Sequence, residues 1–356
     1  VGMRGMRVSS LWGRTDTPAG SVGGPVRSPG RRFDRPPQPV RGSYVPPMPG
    51  FSAAVASLPT LGVGASLSFG VQPDPVKLAS VRGGPSFIEY AGPVQHDAFA
   101  REIEGLKRLA VPMLYHPSCL NLCGPHANPP AWLDAVDAHV KHVGSAWLAQ
   151  DVATCFIGTN PNYSIQLGYF VAPIFTREAL DEAVDRVSEV TARVQAPLLL
   201  EPPPVLFALG DMDPFEWLSA LAERTDCGLL VDCGHVVSHQ LARGRGLTDG
   251  LSALDTSRVV ELHVAGGVIE THGDRKYYRD AHDLPPLPEA WMVMRELLAK
   301  CPNLRAVCVE CEGAVASSVL PLLRRTRERV HQGTVNPVLK AQVSRELDAS
   351  DLVTAA

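Results

Sequence analysis

The sequence predicts an α/β fold, a single (β/α)8 TIM barrel, and three observations predict it. Eight apolar runs of strand length recur along the chain, amphipathic stretches at helical spacing separate them, and most of the runs end in Glu, Asp or His. Runs of this kind are how strands of a parallel sheet read, because both of their faces are covered. In a closed barrel of such strands, active sites sit at the C-terminal rim. A doubly wound open sheet is the competing arrangement, but no GxGxxG follows the first strand.

The first fifty residues hold eight Arg against two Asp, with nine Pro, nine Gly and no hydrophobic period. Such a stretch buries too little apolar surface to offset the entropy of ordering it, so residues 1–55 are expected to form a disordered extension. The barrel is expected over residues 56–332. Its strands are predicted at 61–67, 86–90, 111–116, 145–151, 196–201, 228–235, 259–266 and 304–312. Helices are predicted at 97–110, 130–142, 176–194, 214–225, 288–300 and 316–330. Thr176 is the N-cap of the helix at 176, with Glu178 in its first turn. Asp213-Pro214 opens the next, a cap followed by proline at the first helical position. Residues 333–356 read as a polar tail with a helix near 338–348.

The chain has 356 residues, 45% hydrophobic and 20% charged, ample for one large core. It has no run of eighteen apolar residues and no secretory signal core, so a cytoplasmic protein that contacts no membrane is expected. The net charge of −4 conceals a basic start and an acidic remainder, which offers no face for a nucleic acid. The eight Cys read as small core residues. Cys308 and Cys311 form a CxxC inside a predicted strand, where alternation sends the two sulfurs to opposite faces.

Strand by strand, the C-terminal ends offer Glu89, His116, Asp151, Glu201, Asp232 with His235, His263 and Glu310, and the loop after the seventh strand adds Asp280 and His282. One such end alone is usually a cap or a satisfied surface group. Many acids gathered at one rim repel each other and lose hydration, and a bound cation is the usual remedy. Imidazole with carboxylate and no thiolate set suits iron, manganese or zinc, and the surplus of ligands suggests two or more ions. His126, His139, His142 and His331 are expected at the surface. His239 follows His235 by four residues, and Arg275 and Tyr277 lie in the polar segment ETHGDRKYYRD, which looks like a lid. All three are expected substrate contacts.

Several stretches also resemble a known family: LGVGASL at 61, FIEY at 87, YHPSCLNL at 115, FVAPIFTREALDEAVDRVSEV at 170 leading into LLLEPP, ERTDCGLLVDCGHVVSH at 223, ELHVAGG at 261, DAHDLPPLPEAW at 280 and VCVECE at 307. In order, spacing and flavour they are similar to the multinuclear non-haem iron-dependent oxidative enzymes. That barrel family includes the methanobactin-biosynthesis oxidase and modifies cysteines of ribosomal peptides. The resemblance implies that His116, Glu201, Asp232, His235, His263, Asp280, His282 and Glu310 stand where the family keeps iron ligands or their close neighbours, with Asp151 matching the acid of an acid-His pair. It implies two or three irons, ferrous and ferric together, and dioxygen as co-substrate. It implies a ribosomal precursor peptide as substrate and a partner protein that presents it. His263, Asp280 and His282 would then be the catalytic residues at the iron nearest the substrate, with Glu201, Asp232 and His235 at its neighbour.

The departures from the family pattern lie in the first half of the barrel. Where the family reads Glu-x-His-x-Glu-Asn, this chain has Glu89 followed by Ala91 and Pro93. The acid-His pair is Asp151-Val152, and the usual Glu-Asn-Pro is Glu201-Pro202-Pro203. At least two potential ligands are therefore missing. A divalent-metal isomerase or epimerase of the xylose-isomerase-like type, and a catalytically degenerate barrel that binds a partner, are the alternative functions.

Overall fold

Each of the eight apolar runs becomes a parallel strand. The computed structural model describes residues 50–92, 98–158 and 165–351; the expected N-terminal extension, up to residue 49, and Pro93 lie outside the described residues. The strands in chain order are β1 (Gly62–Ser66), β2 (Ile88–Tyr90), β3 (Met113–Tyr115), β4 (Leu148–Asp151), β5 (Thr154–Ile157), β6 (Ile165–Val171), β7 (Leu198–Glu201), β8 (Gly228–Asp232), β9 (Val259–Val264), β10 (Gly267–His272), β11 (Arg275–Asp280) and β12 (Ala306–Glu310). The closed barrel runs β1-β12-β9-β8-β7-β4-β3-β2, and β5-β6 and β10-β11 are separate antiparallel hairpins.

The helices are α1 (Phe51–Ala54), α2 (Pro75–Ser80), α3 (Ala100–Arg108), α4 (Pro130–Val143), α5 (Arg177–Thr191), α6 (Pro214–Thr225), α7 (Cys233–Arg243), α8 (Pro288–Leu298), α9 (Ala316–Gln332) and α10 (Pro337–Asp351). The cap signals act as their chemistry requires. Thr176 accepts the N–H of Ala179 at the start of α5, and Asp213 accepts that of Phe215 at the start of α6. No helix among the described residues is long and apolar enough to cross a membrane.

Two expectations about elements need correction. The strand predicted to reach His235 stops at Asp232, because the Asp232 side chain accepts the His235 N–H at 2.6 Å and caps α7. His235 therefore sits in the first turn of a helix. The polar segment expected to be a lid-like loop is the β10-β11 hairpin, which turns at Gly273 with φ +64°. Its strands are too polar for an apolar-run criterion, and Gly273-Asp274 was the available signal.

Strand alternation divides the core in two. Outward side chains such as Ile88, Leu200, Val231, Val264 and Val309 pack against the helices in one large buried cluster. Inward ones, including Phe87, Leu114, Trp147, Leu199, Leu230 and Cys308, fill the barrel, with Phe51 and Leu61 in the same cluster. Burying each large side chain contributes on the order of 1.5–3 kcal/mol. Gly64 belongs to this interior, where a Cβ would lie 2.5 Å from the Phe87 ring. The CxxC divides as alternation predicts, with Cys308 inside the barrel and Cys311 in the outer cluster.

Candidate metal centre

One step further along the inward face of each strand, the barrel changes from apolar to polar. The layer there consists of Ser66, Glu89, His116, Asp151, Glu201, Asp232, His263 and Glu310, none more than 9% exposed. Register brings them to one level: Ser66 pairs with Glu89 and with Glu310, Asp151 with Glu201, and Asp232 with His263. His235 joins them from α7, Asp280 from the end of β11, and His282 and Glu312 from the segments beyond β11 and β12. A cavity of about 180 Å³ opens onto this layer, lined in part by His116, Asp151, Glu201, His235, Asp280 and Glu310.

The imidazoles lie between the carboxylates. His116 Nε2 is 3.2 Å from Asp151 and 3.4 Å from Glu201, and its Nδ1 is 3.7 Å from Glu89. His263 spans Glu89 at 3.1 Å and Glu310 at 3.3 Å through its two nitrogens. His282 bonds Asp280 at 2.9 Å and Glu312 at 2.8 Å. His235 donates from Nδ1 to the Pro202 carbonyl at 2.9 Å, which leaves Nε2 to face Asp232 and Asp280. That is the outer-shell hydrogen bond that fixes a metal-binding tautomer.

Burial opposes charge on these histidines, yet the carboxylates around them outweigh it and raise His116, His235, His263 and His282 well above the ordinary imidazole value. Burial together with Asp151 pushes Glu201 up to about 7, and burial brings Asp232 to about 6. Burial would raise Glu89 as well, but His263 and His116 pull it down to about 2. Against burial, His282 and His235 hold Asp280 well below the carboxylate range.

Many of these atoms have no hydrogen-bonding partner among the described residues although they are buried. They include both oxygens of Glu89, both nitrogens of His263, and one oxygen each of Asp151, Glu201, Asp232 and Glu310. Buried polar groups are nearly always paired, so a cluster of orphaned acceptors beside imidazoles fits divalent cations. Within it, Glu89, His116 and His263 offer one group of ligand atoms close enough for an ion; His116, Asp151 and Glu201 offer a second, and Asp232, His263 and Glu310 a third.

All nine residues expected to hold metal, His116, Asp151, Glu201, Asp232, His235, His263, Asp280, His282 and Glu310, meet at this mouth. The expected substrate contacts do not line the cavity. His239 is buried, its Nε2 donates to the Pro203 carbonyl at 3.0 Å, and its ring packs near Phe175 and Phe215. A residue four positions past His235 keeps to the same side of α7, but the polyproline turn after β7 covers it. Arg275 and Tyr277 stand on the β11 strand of the exposed hairpin, while the neighbouring Tyr278 turns inward and donates to the Gly266 carbonyl. His139, expected at the surface, is buried and shares a hydrogen bond with the Tyr90 hydroxyl at 2.7 Å.

Two acids, Glu261 and Glu312, were not read from the sequence, and Glu89 was read only as a strand end. Glu89 is more than a strand end, since both of its oxygens face the histidines. Glu312 orients His282. Glu261 lies two residues before His263 and therefore shares its inward face, and Trp147 donates to it at 2.8 Å. A charged residue inside an apolar strand, at even spacing from a candidate ligand, was the signal.

Among protein families, the model described as RiPP precursor modification enzyme MbnB/TglH/ChrH matches residues 87–329, most of the barrel. The chain belongs to this family. Among curated proteins, a UPF0276 protein of Rhizobium meliloti (strain 1021) is similar, 28% identical over 219 residues, which are 60% of this chain and 68% of that protein. Another, from Paraburkholderia phytofirmans, is 27% identical over 197 residues, 54% of this chain and 62% of that protein. Among solved structures, endonuclease IV from Thermus thermophilus is similar with a TM-score of 0.47 and 16% identity, over 76% of this chain and 100% of that one. A xylose isomerase domain protein from Planctomyces limnophilus is similar at 0.45 and 12%, over 83% and 97%.

Proposed function

We propose that this member of the family is an iron- and dioxygen-dependent oxidase that modifies a cysteine of a ribosomally synthesised precursor peptide. The observation that carries the reading is the buried layer of carboxylates and imidazoles at the barrel mouth, where many atoms lie at ion-pair distance from one another without closing a hydrogen bond. Two or three irons in that layer would supply the redox chemistry by which dioxygen oxidises the peptide, and would hold the cysteine as thiolate.

The residues divide the work by position. Glu89, His116, Asp151, Glu201, Asp232 and Glu310 would hold the ions from the strands, and His235 would add Nε2 from α7. His263, Asp280 and His282 would hold the ion at which the peptide is oxidised. Glu312 is a positioning residue, fixing the ring of His282. The cavity of about 180 Å³ has the size of a side chain rather than of a folded partner. Arg275 and Tyr277 meet the peptide outside the cavity, on the hairpin.

Metal analysis and oxygen uptake of anaerobically purified protein test this reading. Two or more irons per chain, a visible ferric band and peptide-dependent oxygen consumption are expected. One manganese or zinc ion without oxygen uptake would replace the oxidase by an isomerase, and absence of bound metal would leave a partner-binding barrel.

A further inference from the structure

Away from the metal layer, a second cavity of about 200 Å³ lies between α8 and α9, lined by Trp291, Met292 and Arg295 of α8, Arg325 and Arg329 of α9, and Pro286 before them. The guanidinium groups of Arg325 and Arg329 both stack on the Trp291 ring, 5.5 and 4.6 Å from its centroid. Neither these two nor Arg295 has a carboxylate within 4 Å among the described residues. Nearby acids of the same helices are engaged elsewhere: Glu296 pairs with Lys300 at 2.7 Å and Glu328 with Arg324 at 3.0 Å. Partial burial and the adjacent charge of Arg325 lower the pKa of Arg329.

Two donors there are also unanswered. The indole N–H of Trp291, a residue only 5% exposed, and the Nε of Arg329 are buried with no acceptor among the described residues. Donors in this situation are nearly always satisfied in a functional state. Three cations and buried N–H groups around an aromatic plate ask for carboxylates. The 47% exposed Met292 and the proline beside it ask for a chain long enough to cover them, which a compact phosphate would not do.

We propose that this groove docks an acidic segment of the peptide that the metal centre modifies, an inference that rests on the peptide-substrate reading above. Chain geometry supports the pairing of the two sites. Pro286 follows the ligand His282 by four residues, so the groove begins at most about 14 Å from the metal layer. An extended peptide covers that span with four or five residues. The protein's net charge of −4 repels acidic peptides in general, so a local basic groove selects where such a segment lands.

The test is fluorescence anisotropy of a fluorescein-labelled hexaglutamate peptide with the full chain as purified. Saturable binding is expected, weakened about tenfold or more by Arg325→Gln with Arg329→Gln, the usual scale for removing desolvated charge contacts. Trp291→Phe, which keeps the ring and removes the N–H, should weaken it about threefold. The charge-matched pair Lys107→Gln with Arg108→Gln on α3 should leave it unchanged. No saturable binding, equal loss in the α3 pair, or displacement by millimolar inorganic phosphate would overturn the proposal. The probe carries nothing to oxidise, so its binding is read independently of turnover. Failure here leaves the metal reading standing, and failure of metal loading leaves this binding measurable.

Discussion

Two layers of the same barrel interior, two residues apart along each strand, have opposite chemistry. The lower layer, with Gly64, Phe87, Leu114, Ala149, Leu199, Leu230 and Cys308, is apolar almost throughout and is filled by contact alone. The upper layer, from Ser66 to Glu310, is polar in every strand and leaves many of its atoms unpaired. The difference teaches where folding and function divide. The lower layer stabilises the barrel, whereas the upper one burdens it with desolvated charge that the imidazole-carboxylate pairs offset only in part. Glu261 is the exception below, and there Trp147 supplies a donor to one of its oxygens.

Exchanging residues between these regimes should break the contrast in a definite order. His263→Ala should abolish turnover and remove metal from one position, read by metal analysis and peptide-dependent oxygen uptake; unchanged turnover would remove the main assignment. Phe87→Ala, one layer down, should cost about 3–5 kcal/mol in urea unfolding while the folded fraction keeps its full metal content. A loss of metal in that variant would show that the layers are not separable.

His239 sharpens the comparison from outside both layers, as a buried histidine that lies away from the cavity with its Nε2 bonded to the Pro203 carbonyl. Burial lowers its pKa to about 4, below the ordinary 6.5. The unfolded chain therefore binds the proton more readily between those values, and stability should fall as pH drops from 6.5 to 4 and then level off. His239→Gln should remove about 3 kcal/mol of that fall, at about 1.4 kcal/mol per pH unit. An identical pH slope in wild type and variant would contradict it. The smallest effect is expected from Ser66→Ala. Ser66 belongs to the upper layer, but its hydroxyl bonds Glu312, so metal content should hold and stability should change by about 1 kcal/mol or less.

The sequence carried the barrel because both of its signals were local. Apolar runs such as LLLE and GLLVD mark strands buried on two faces, and Asp213-Pro214 marks a helix start without reference to anything distant. The candidate metal layer was legible for the same reason, since its acids and imidazoles fall at or just after strand ends. What escaped depended on pairing across the chain. The β10-β11 hairpin is polar, so only its Gly273-Asp274 turn betrays it. The burial of His139 depends on Tyr90, 49 residues earlier. His239 reads as a rim residue until Pro203 is seen to cover it. Glu89 is separated from His263 by most of the barrel in sequence and by 3.1 Å in space.

The most direct test of the account is anomalous diffraction at the iron edge from crystals of anaerobically purified protein. The account predicts two or more anomalous peaks among Glu89, His116, Asp151, Glu201, Asp232, His235, His263, Asp280, His282 and Glu310, each within coordination distance of at least three of them. A featureless map at that layer, with the same side chains closed into hydrogen-bonded pairs, would contradict it.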